Sequence, residues 1–304
     1  MDFIEHEKDN SKNCKIQSQV PDITRSEPCC VGIDEAGRGP VLGPMVYGIC
    51  YCPLSKAENL KELGFADSKT LTEEQREALF DTLSRKNSDF IGWVIDILSP
   101  NYISNAMLRR TKCSLNEISH NSAIGLIQLL LDSGVNVQEV YVDTVGVANK
   151  YQEKLQKIFP AQQITVTPKA DSKFPIVSAA SICAKVRSLV GRDRVIKSWT
   201  FQEDFESSDG CGSGYPSDPN TKKWLSNNVD KVFGFPRLVR FSWQTCRTIL
   251  DDKAVQVIWD DDGDSDDEAA KGTASITTFF SSNNEVPKQH KFFLDRKLDS
   301  LEAF

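Results

Sequence analysis

Val31-Gly32-Ile33-Asp34-Glu35-Ala36-Gly37-Arg38-Gly39-Pro40-Val41-Leu42-Gly43-Pro44 decides how this chain is read. An apolar run meets two adjacent carboxylates, a Gly-Arg-Gly turn follows at once, and a second apolar run, Met45 to Cys52, leads back. A buried strand does not carry Asp-Glu at its end without cost, because a charge taken out of water needs a partner or a metal. The stretch therefore reads as a strand delivering acids to a site. The plainer reading is a polar turn with solvated acids. Two glycines around an arginine favour the former, since they mark close backbone approach. Asp34 and Glu35 would point to opposite sides of a continuing strand, so they reach one site only if the strand stops there, which a turn at Gly37 permits.

Working outward, composition narrows the class. The 304 residues suit one large domain or two small ones. No stretch approaches the ~20 apolar residues of a membrane helix, and the charged start Met1-Asp2-Phe3-Ile4-Glu5-His6-Glu7 does not read as a secretory signal. An intracellular, reducing setting is expected. The nine cysteines are scattered without C-x-x-C spacing and read as buried thiols. Cys50 and Cys52 share a face of one strand, where packing explains them better than metal. The formal net charge of −7 is misleading, because Asp260, Asp261, Asp262, Asp264, Asp266, Asp267 and Glu268 account for seven negative charges. The remaining body is neutral and free to hold a basic groove beside an acidic site. Of the three histidines, His6 and His290 fall in tails, so acid chemistry has to rest on carboxylates.

In chain order, residues 1–27 are polar and read as a loose arm. Cys30 to Asp34, Met45 to Cys52 and Phe90 to Leu98 read as an antiparallel meander, with a weak helix over Ala57 to Leu63 and a capping box at Thr72-Glu73-Glu74-Gln75 opening a helix to about Leu83. Ile118, Ile124, Ile127 and Leu131 predict a helix that Gly134 ends. Val140 to Asp143 and Ile164 to Lys169 read as strands, separated by a helix over Tyr151 to Phe159 and followed by a long one from Val177 to near Trp199. That order implies a parallel part of the sheet, so the fold class is α/β with a mixed sheet. Residues 28–206 form the expected main domain, and 207–258 a C-terminal helical subdomain with helices after Asp218-Pro219 and from Phe241-Ser242-Trp243. Residues 259–304 form an acidic, mostly disordered tail.

Three apolar strands thus close on acids: Asp34-Glu35, Asp143 and Asp171. Sites in open α/β sheets lie outside the carboxyl ends of strands. Carboxylates without His or Cys are hard oxygen ligands, suited to Mg²⁺ or Mn²⁺ rather than zinc. Two such ions about 3.5–4 Å apart stabilise the attacking and leaving oxygens of an in-line phosphoryl displacement. Taken singly, each acid could cap a helix or a turn, as Asp171 could before Phe174-Pro175. Periodicity does not prove that they converge.

Asp34-Glu35-Ala36-Gly37-Arg38-Gly39-Pro40, Asp67-Ser68-Lys69, Tyr141-Val142-Asp143, Lys169-Ala170-Asp171, Ser178 to Val186 and Gly212-Ser213-Gly214-Tyr215-Pro216-Ser217-Asp218-Pro219 occur in an order that resembles type 2 ribonucleases H. The chain also resembles the catalytic large (A) subunits of the eukaryotic heterotrimers of this type. The resemblance spans roughly residues 28–258. It implies an RNase H-like fold with a five-stranded mixed sheet flanked by helices and a C-terminal helical subdomain. It implies hydrolysis of the RNA strand of RNA–DNA hybrids and incision 5′ to single ribonucleotides in duplex DNA, leaving 3′-hydroxyl and 5′-phosphate ends. This is the chemistry that removes misincorporated ribonucleotides and primer RNA. By position, Asp34, Glu35, Asp143 and Asp171 are the metal-binding catalytic acids of that pattern. Gly37, Arg38 and Gly39 match its turn that reads the ribose 2′-hydroxyl, the group that separates RNA from DNA. Tyr215 matches its junction-sensing tyrosine, although a tyrosine in a Gly-Tyr-Pro loop is otherwise a packed turn residue. Ser68, Lys69 and Lys185 are candidate phosphate contacts, with simple solvent exposure the plainer account of a lysine. The related type 3 enzymes differ where this chain has Gly-Arg-Gly.

One departure from the pattern lies within Arg187 to Gly191, where about four extra residues, close to one helical turn, precede Arg192-Asp193. In the tail, Ile276, Phe279 and Phe280 resemble a sliding-clamp-binding peptide, with Thr273 where glutamine is expected. Docking onto the chain's own body or onto partner subunits is the alternative. The resemblance further implies two non-catalytic partners in a heterotrimer, and a nuclear location. Two rivals stand beside it: a catalytically silent nucleic-acid-binding chain, against which the full acid set argues, and another two-metal nuclease of the same fold, which would have no use for 2′-hydroxyl sensors.

Overall fold

The computed structural model describes residues 11–65, 71–84, 89–186 and 211–255. Six strands form one mixed sheet: β1 (Cys14–Gln17), β2 (Cys29–Ala36), β3 (Met45–Pro53), β4 (Gly92–Leu98), β5 (Val137–Asp143) and β6 (Gln163–Thr167), in the order β1-β4-β3-β2-β5-β6. The expected meander is there, β2 to β3 to β4, antiparallel throughout. β5 and β6 add to the other edge of β2 in parallel, as the strand-helix-strand order requires. The sheet has six strands rather than the expected five because residues 14–17, placed in the loose arm, pair antiparallel with β4. Asn13 Oδ1 accepts from Ser99 N at 2.9 Å and Ser18 Oγ accepts from Trp93 N at 2.9 Å, which pins both ends of that short strand.

The longer helices are α1 (Glu73–Ser84), α2 (Pro100–Leu108), α3 (Leu115–Asp132), α4 (Ala148–Ile158), α5 (described over 175–186), α6 (Pro219–Asn227) and α7 (Gln244–Lys253). The capping box closes as its residues dictate: Thr72 Oγ1 accepts from Gln75 N at 3.3 Å and Gln75 Oε1 from Thr72 N at 2.8 Å. Helix α2 is an addition to the elements read from sequence. Its start is chemically clear, since Ser99 accepts from Tyr102 N and Pro100 stands at the first turn. Among the described residues, no helix is long and apolar enough to cross a membrane.

Strand alternation sorts the core into two layers. Val31, Ile33, Tyr47 and Ile49 pack with α3 and α4 on one face. Cys30, Cys50, Cys52, Ile95 and Ile97 pack with α1 and α5 on the other. All nine cysteines are buried and free, four of them in facing pairs: Cys30 with Cys52 and Cys50 with Cys183. Gly32 and Gly48 have a specific job here. A Cβ on Gly32 would lie 2.4 Å from the Ile176 carbonyl carbon, and one on Gly48 2.4 Å from the Ala180 carbonyl oxygen. Their bare backbones let α5 sit directly on β2 and β3. A third, smaller cluster joins Val41 and Leu42, just past the Gly-Arg-Gly turn, to Trp224, Leu225, Val239 and Cys246. All described elements fall within one compact unit that ends at Val255.

Candidate functional site

The acids lie at the carboxyl ends of β2 and β5. β2 continues through Ala36, with Glu35 opposite Tyr47 in register, so Asp34 and Glu35 stay on opposite faces. Asp34 faces α5 and Glu35 faces the α3 layer. Ile33 pairs with Val142, which brings Asp34 and Asp143 out of adjacent parallel strands side by side. Asp34 is 5% exposed, and its Oδ1 accepts from Glu35 N at 2.8 Å. Burial, with Asp143 adding repulsion, pushes its carboxyl up to about 7 against the pull of a Ser181 hydrogen bond and Lys185. Burial followed by the charges of Asp34 and Asp143 raises Glu35 to about 8, opposed by Arg38. Asp143 Oδ1 accepts from Ala170 N at 3.0 Å, which ties it to the single turn Ala170–Ser172 carrying the buried Asp171. Lys169, in the left-handed conformation at φ 56°, starts that turn two residues after β6 ends at Thr167.

The structure thus couples Asp34, Glu35 and Asp143 through their charges, with Asp171 on a turn bonded to Asp143. Among the described residues, no three Asp, Glu, His or Cys side chains form a ready-made coordination cage. The donor set still fits a hard divalent cation. It is all oxygen, the negative charge of Asp143 bears on both Asp34 and Glu35, and Glu35 Oε2 is buried without a hydrogen-bond partner. Mg²⁺-type ions keep several waters and need only one or two carboxylates besides substrate phosphates. His120 stacks on Tyr151 at 3.8 Å between ring centroids, with Nε2 at 3.2 Å from the Val145 carbonyl oxygen.

The Gly-Arg-Gly turn is held from behind. Gly37 adopts φ 71°. The fully buried Arg240 donates from Nη1 to the Arg38 carbonyl at 2.9 Å, from Nη2 to that of Gly37, and from Nε to that of Gly43 at 2.9 Å. Trp243, whose ring lies 5.1 Å from the Arg240 guanidinium, donates to the Gly39 carbonyl at 3.3 Å. In a trans peptide the N–H points opposite the carbonyl, so the N–H groups of Arg38 and Gly39 turn away from Arg240. Arg38 itself donates to Asn116 Oδ1 on α3.

Tyr215, 49% exposed, comes from a loop locked by its own chemistry. Asp218 Oδ2 accepts from Ser213 N at 2.6 Å and Ser213 Oγ at 2.7 Å, and these bonds hold its carboxyl down at about 2. Gly214 O accepts from Val41 N at 2.8 Å and stitches the loop beside the turn. A Cβ on Gly39 would meet Tyr215 Cε1 at 3.1 Å, so a glycine is what lets the ring lie there. Glu35, the turn, Lys185, Tyr215 and Arg76 of α1 line one cavity of about 400 Å³.

Ser68, Lys69, the Arg187–Gly191 stretch and Ile276, Phe279 and Phe280 lie outside the described residues. Arg240, Trp243, Asn116 and Arg76 did not emerge from the sequence. Arg240 left only a faint trace there, as a charge inside Leu238-Val239-Arg240-Phe241.

The family model described as Ribonuclease HII matches residues 31–246. The chain is 51% identical over 307 residues to the A subunit of ribonuclease H2 from Homo sapiens, covering 100% of both, and 53% identical over 251 residues to its counterpart from Arabidopsis thaliana, covering 82% of both. Among solved structures, ribonuclease H2 from Pyrococcus horikoshii aligns with TM-score 0.59 at 34% identity, over 74% of this chain and 98% of that one. The RNase HII of Archaeoglobus fulgidus, solved in complex with PCNA, aligns with TM-score 0.58 at 30% identity, over 76% and 99%.

Proposed function

The chain belongs to the ribonuclease HII family and is a ribonuclease H, and from that premise we propose that it hydrolyses the RNA strand of RNA–DNA hybrids and incises 5′ to single ribonucleotides embedded in duplex DNA. The products are 3′-hydroxyl and 5′-phosphate ends. The observation that carries this reading is the cavity where Glu35, the Gly37-Arg38-Gly39 turn and Tyr215 meet. A carboxylate for phosphoryl chemistry and backbone groups suited to a ribose hydroxyl share one space of about 400 Å³.

In this reading Asp34, Glu35, Asp143 and Asp171 hold Mg²⁺ or Mn²⁺, two ions during catalysis. Bound there, the ions supply the positive charge that in-line displacement at phosphorus requires. The protein groups do the rest. Arg240 and Trp243 occupy the carbonyls of the turn, so its N–H groups face the 2′-hydroxyl. Tyr215 bonds the same hydroxyl and stacks on the following deoxyribose. Lys185, Ser68 and Lys69 contact phosphates. Recognition of the ribose and alignment of the scissile phosphate then become one event.

The chain acts in the nucleus with two non-catalytic partners, and the naming of its relatives as one lettered subunit of ribonuclease H2 supports a multi-subunit assembly. Ile276, Phe279 and Phe280 dock on a sliding clamp, a reading supported by the PCNA complex of the Archaeoglobus relative. The deciding experiment incubates a labelled duplex bearing one ribonucleotide with Mg²⁺ and this chain, alone and with its two partners. Incision 5′ to the ribonucleotide is expected, abolished in Asp143→Asn and weakened in Tyr215→Phe. Full Mg²⁺-dependent cleavage by Asp143→Asn would sink the assignment, and binding without incision in either preparation would leave a silent binding chain.

A further inference from the structure

Helix α1 carries a cation where its pattern asks for an apolar side chain. Phe80 and Leu83 are buried against the α5-side core, and the Phe80 ring centroid lies 5.2 Å from that of Trp93. Residues four apart on a helix share a face, so one turn back from Phe80 the same stripe reaches Arg76. The Thr72–Gln75 capping box fixes where the helix begins, so this register is set. Arg76 is half-buried, its Nε is buried without a hydrogen-bond partner, and it lines the cavity shared by Glu35, the Gly37-Arg38-Gly39 turn, Lys185 and Tyr215. Among the described residues it takes part in no ion pair. Burying a guanidinium N–H away from both water and acceptor is unfavourable, and the fork geometry of arginine matches phosphate better than any lone lysine does. The cavity also holds the Glu35 carboxylate, yet Arg38, not Arg76, is the arginine that offsets its charge.

We propose that Arg76 is a substrate contact, its guanidinium gripping a backbone phosphate of the nucleic acid that enters this cavity. The proposal rests on the ribonuclease H reading above and adds a residue to it. Such a contact fixes the position of the duplex over the acids and carries no base sequence information. Neutralising one phosphate releases counterions, so it leaves a signature in salt dependence that a packing role does not.

The test compares Arg76→Ala and Arg76→Lys with the parent chain, all carrying Asp143→Asn so that substrate survives. Fluorescence anisotropy measures the affinity for a labelled RNA–DNA hybrid from about 50 to 200 mM salt. In Arg76→Ala the slope of log affinity against log salt should shrink by about 0.9, and binding should weaken about tenfold. Arg76→Lys should restore the slope and only part of the affinity, having lost the fork. Thermal denaturation of each variant shows whether the fold has changed. An unchanged slope in a folded Arg76→Ala chain overturns the proposal. If the parent itself shows no salt-dependent hybrid binding, the failure belongs to the functional reading instead.

Discussion

Asp34 shows what a single buried carboxylate does to this protein. The unfolded chain releases its proton near pH 3.8, whereas the folded chain holds it to about 7. Between those values the folded state binds more protons than the unfolded one, so Asp34 lowers stability as pH rises through that window. Without divalent cation, Asp34→Asn should be close to the parent in stability at pH 4 and exceed it at pH 8 by on the order of 4 kcal/mol. The same variant should lose at least about a hundredfold in incision. Chemical denaturation at the two pH values, with chelator present, checks the first part. A gap that does not widen with pH would mean that burial and Asp143 do not act on Asp34 as described. That acids close these strands was legible in the sequence, because an apolar run ending in Asp is a local pattern. That Asp34 and Glu35 remain on opposite faces was not, because it depends on Tyr47 and Val46 continuing the ladder two pairs beyond the expected stop at Asp34.

At the scale of elements, the contact between α5 and the sheet places half of the site. Ser181 and Lys185 act on Asp34 only because Gly32 and Gly48 admit the helix backbone. Gly48→Ala puts a methyl 2.4 Å from the Ala180 carbonyl oxygen and 3.1 Å from Ala184 N, which neither rigid backbone can absorb in place. We expect a loss of about 3 kcal/mol in stability and a fall in incision larger than the unfolded fraction explains, since α5 must lift away from Asp34. Activity per folded molecule, measured well below the melting transition, separates the two effects. Full activity in the folded fraction would show that α5 does not position the acid. The meander, the parallel pair and most helices were readable from period and caps. Cys14–Gln17 was not, because four residues give too short a window, and its pairing with β4 is set by partners some eighty residues away. Pro100–Leu108 carried a readable Ser-Pro start, but its one buried stripe is short.

The whole molecule decides the one feature no local pattern reveals. Arg240 stands 202 residues from Arg38, yet its guanidinium satisfies the Gly37, Arg38 and Gly43 carbonyls, and Trp243 takes that of Gly39. The segment that joins α6 to α7 therefore sets the orientation of the peptides that face the cavity. Arg240→Lys keeps the charge and loses the fork, because a point ammonium does not span three carbonyls in fixed directions. At least one buried carbonyl is then left unpaired, at about 1–3 kcal/mol. We expect stability to fall by that amount. Because the turn is released, kcat/KM on the single-ribonucleotide duplex should also drop at least about tenfold while duplex affinity changes less. Arg240→Met of similar length should do worse on both counts, since it removes every donor. If folded Arg240→Lys incises like the parent, the turn holds its shape without the guanidinium, and the arginine serves packing alone. If incision falls while affinity is kept, the distant arginine governs catalysis by aiming a backbone it never shares with the reacting phosphate.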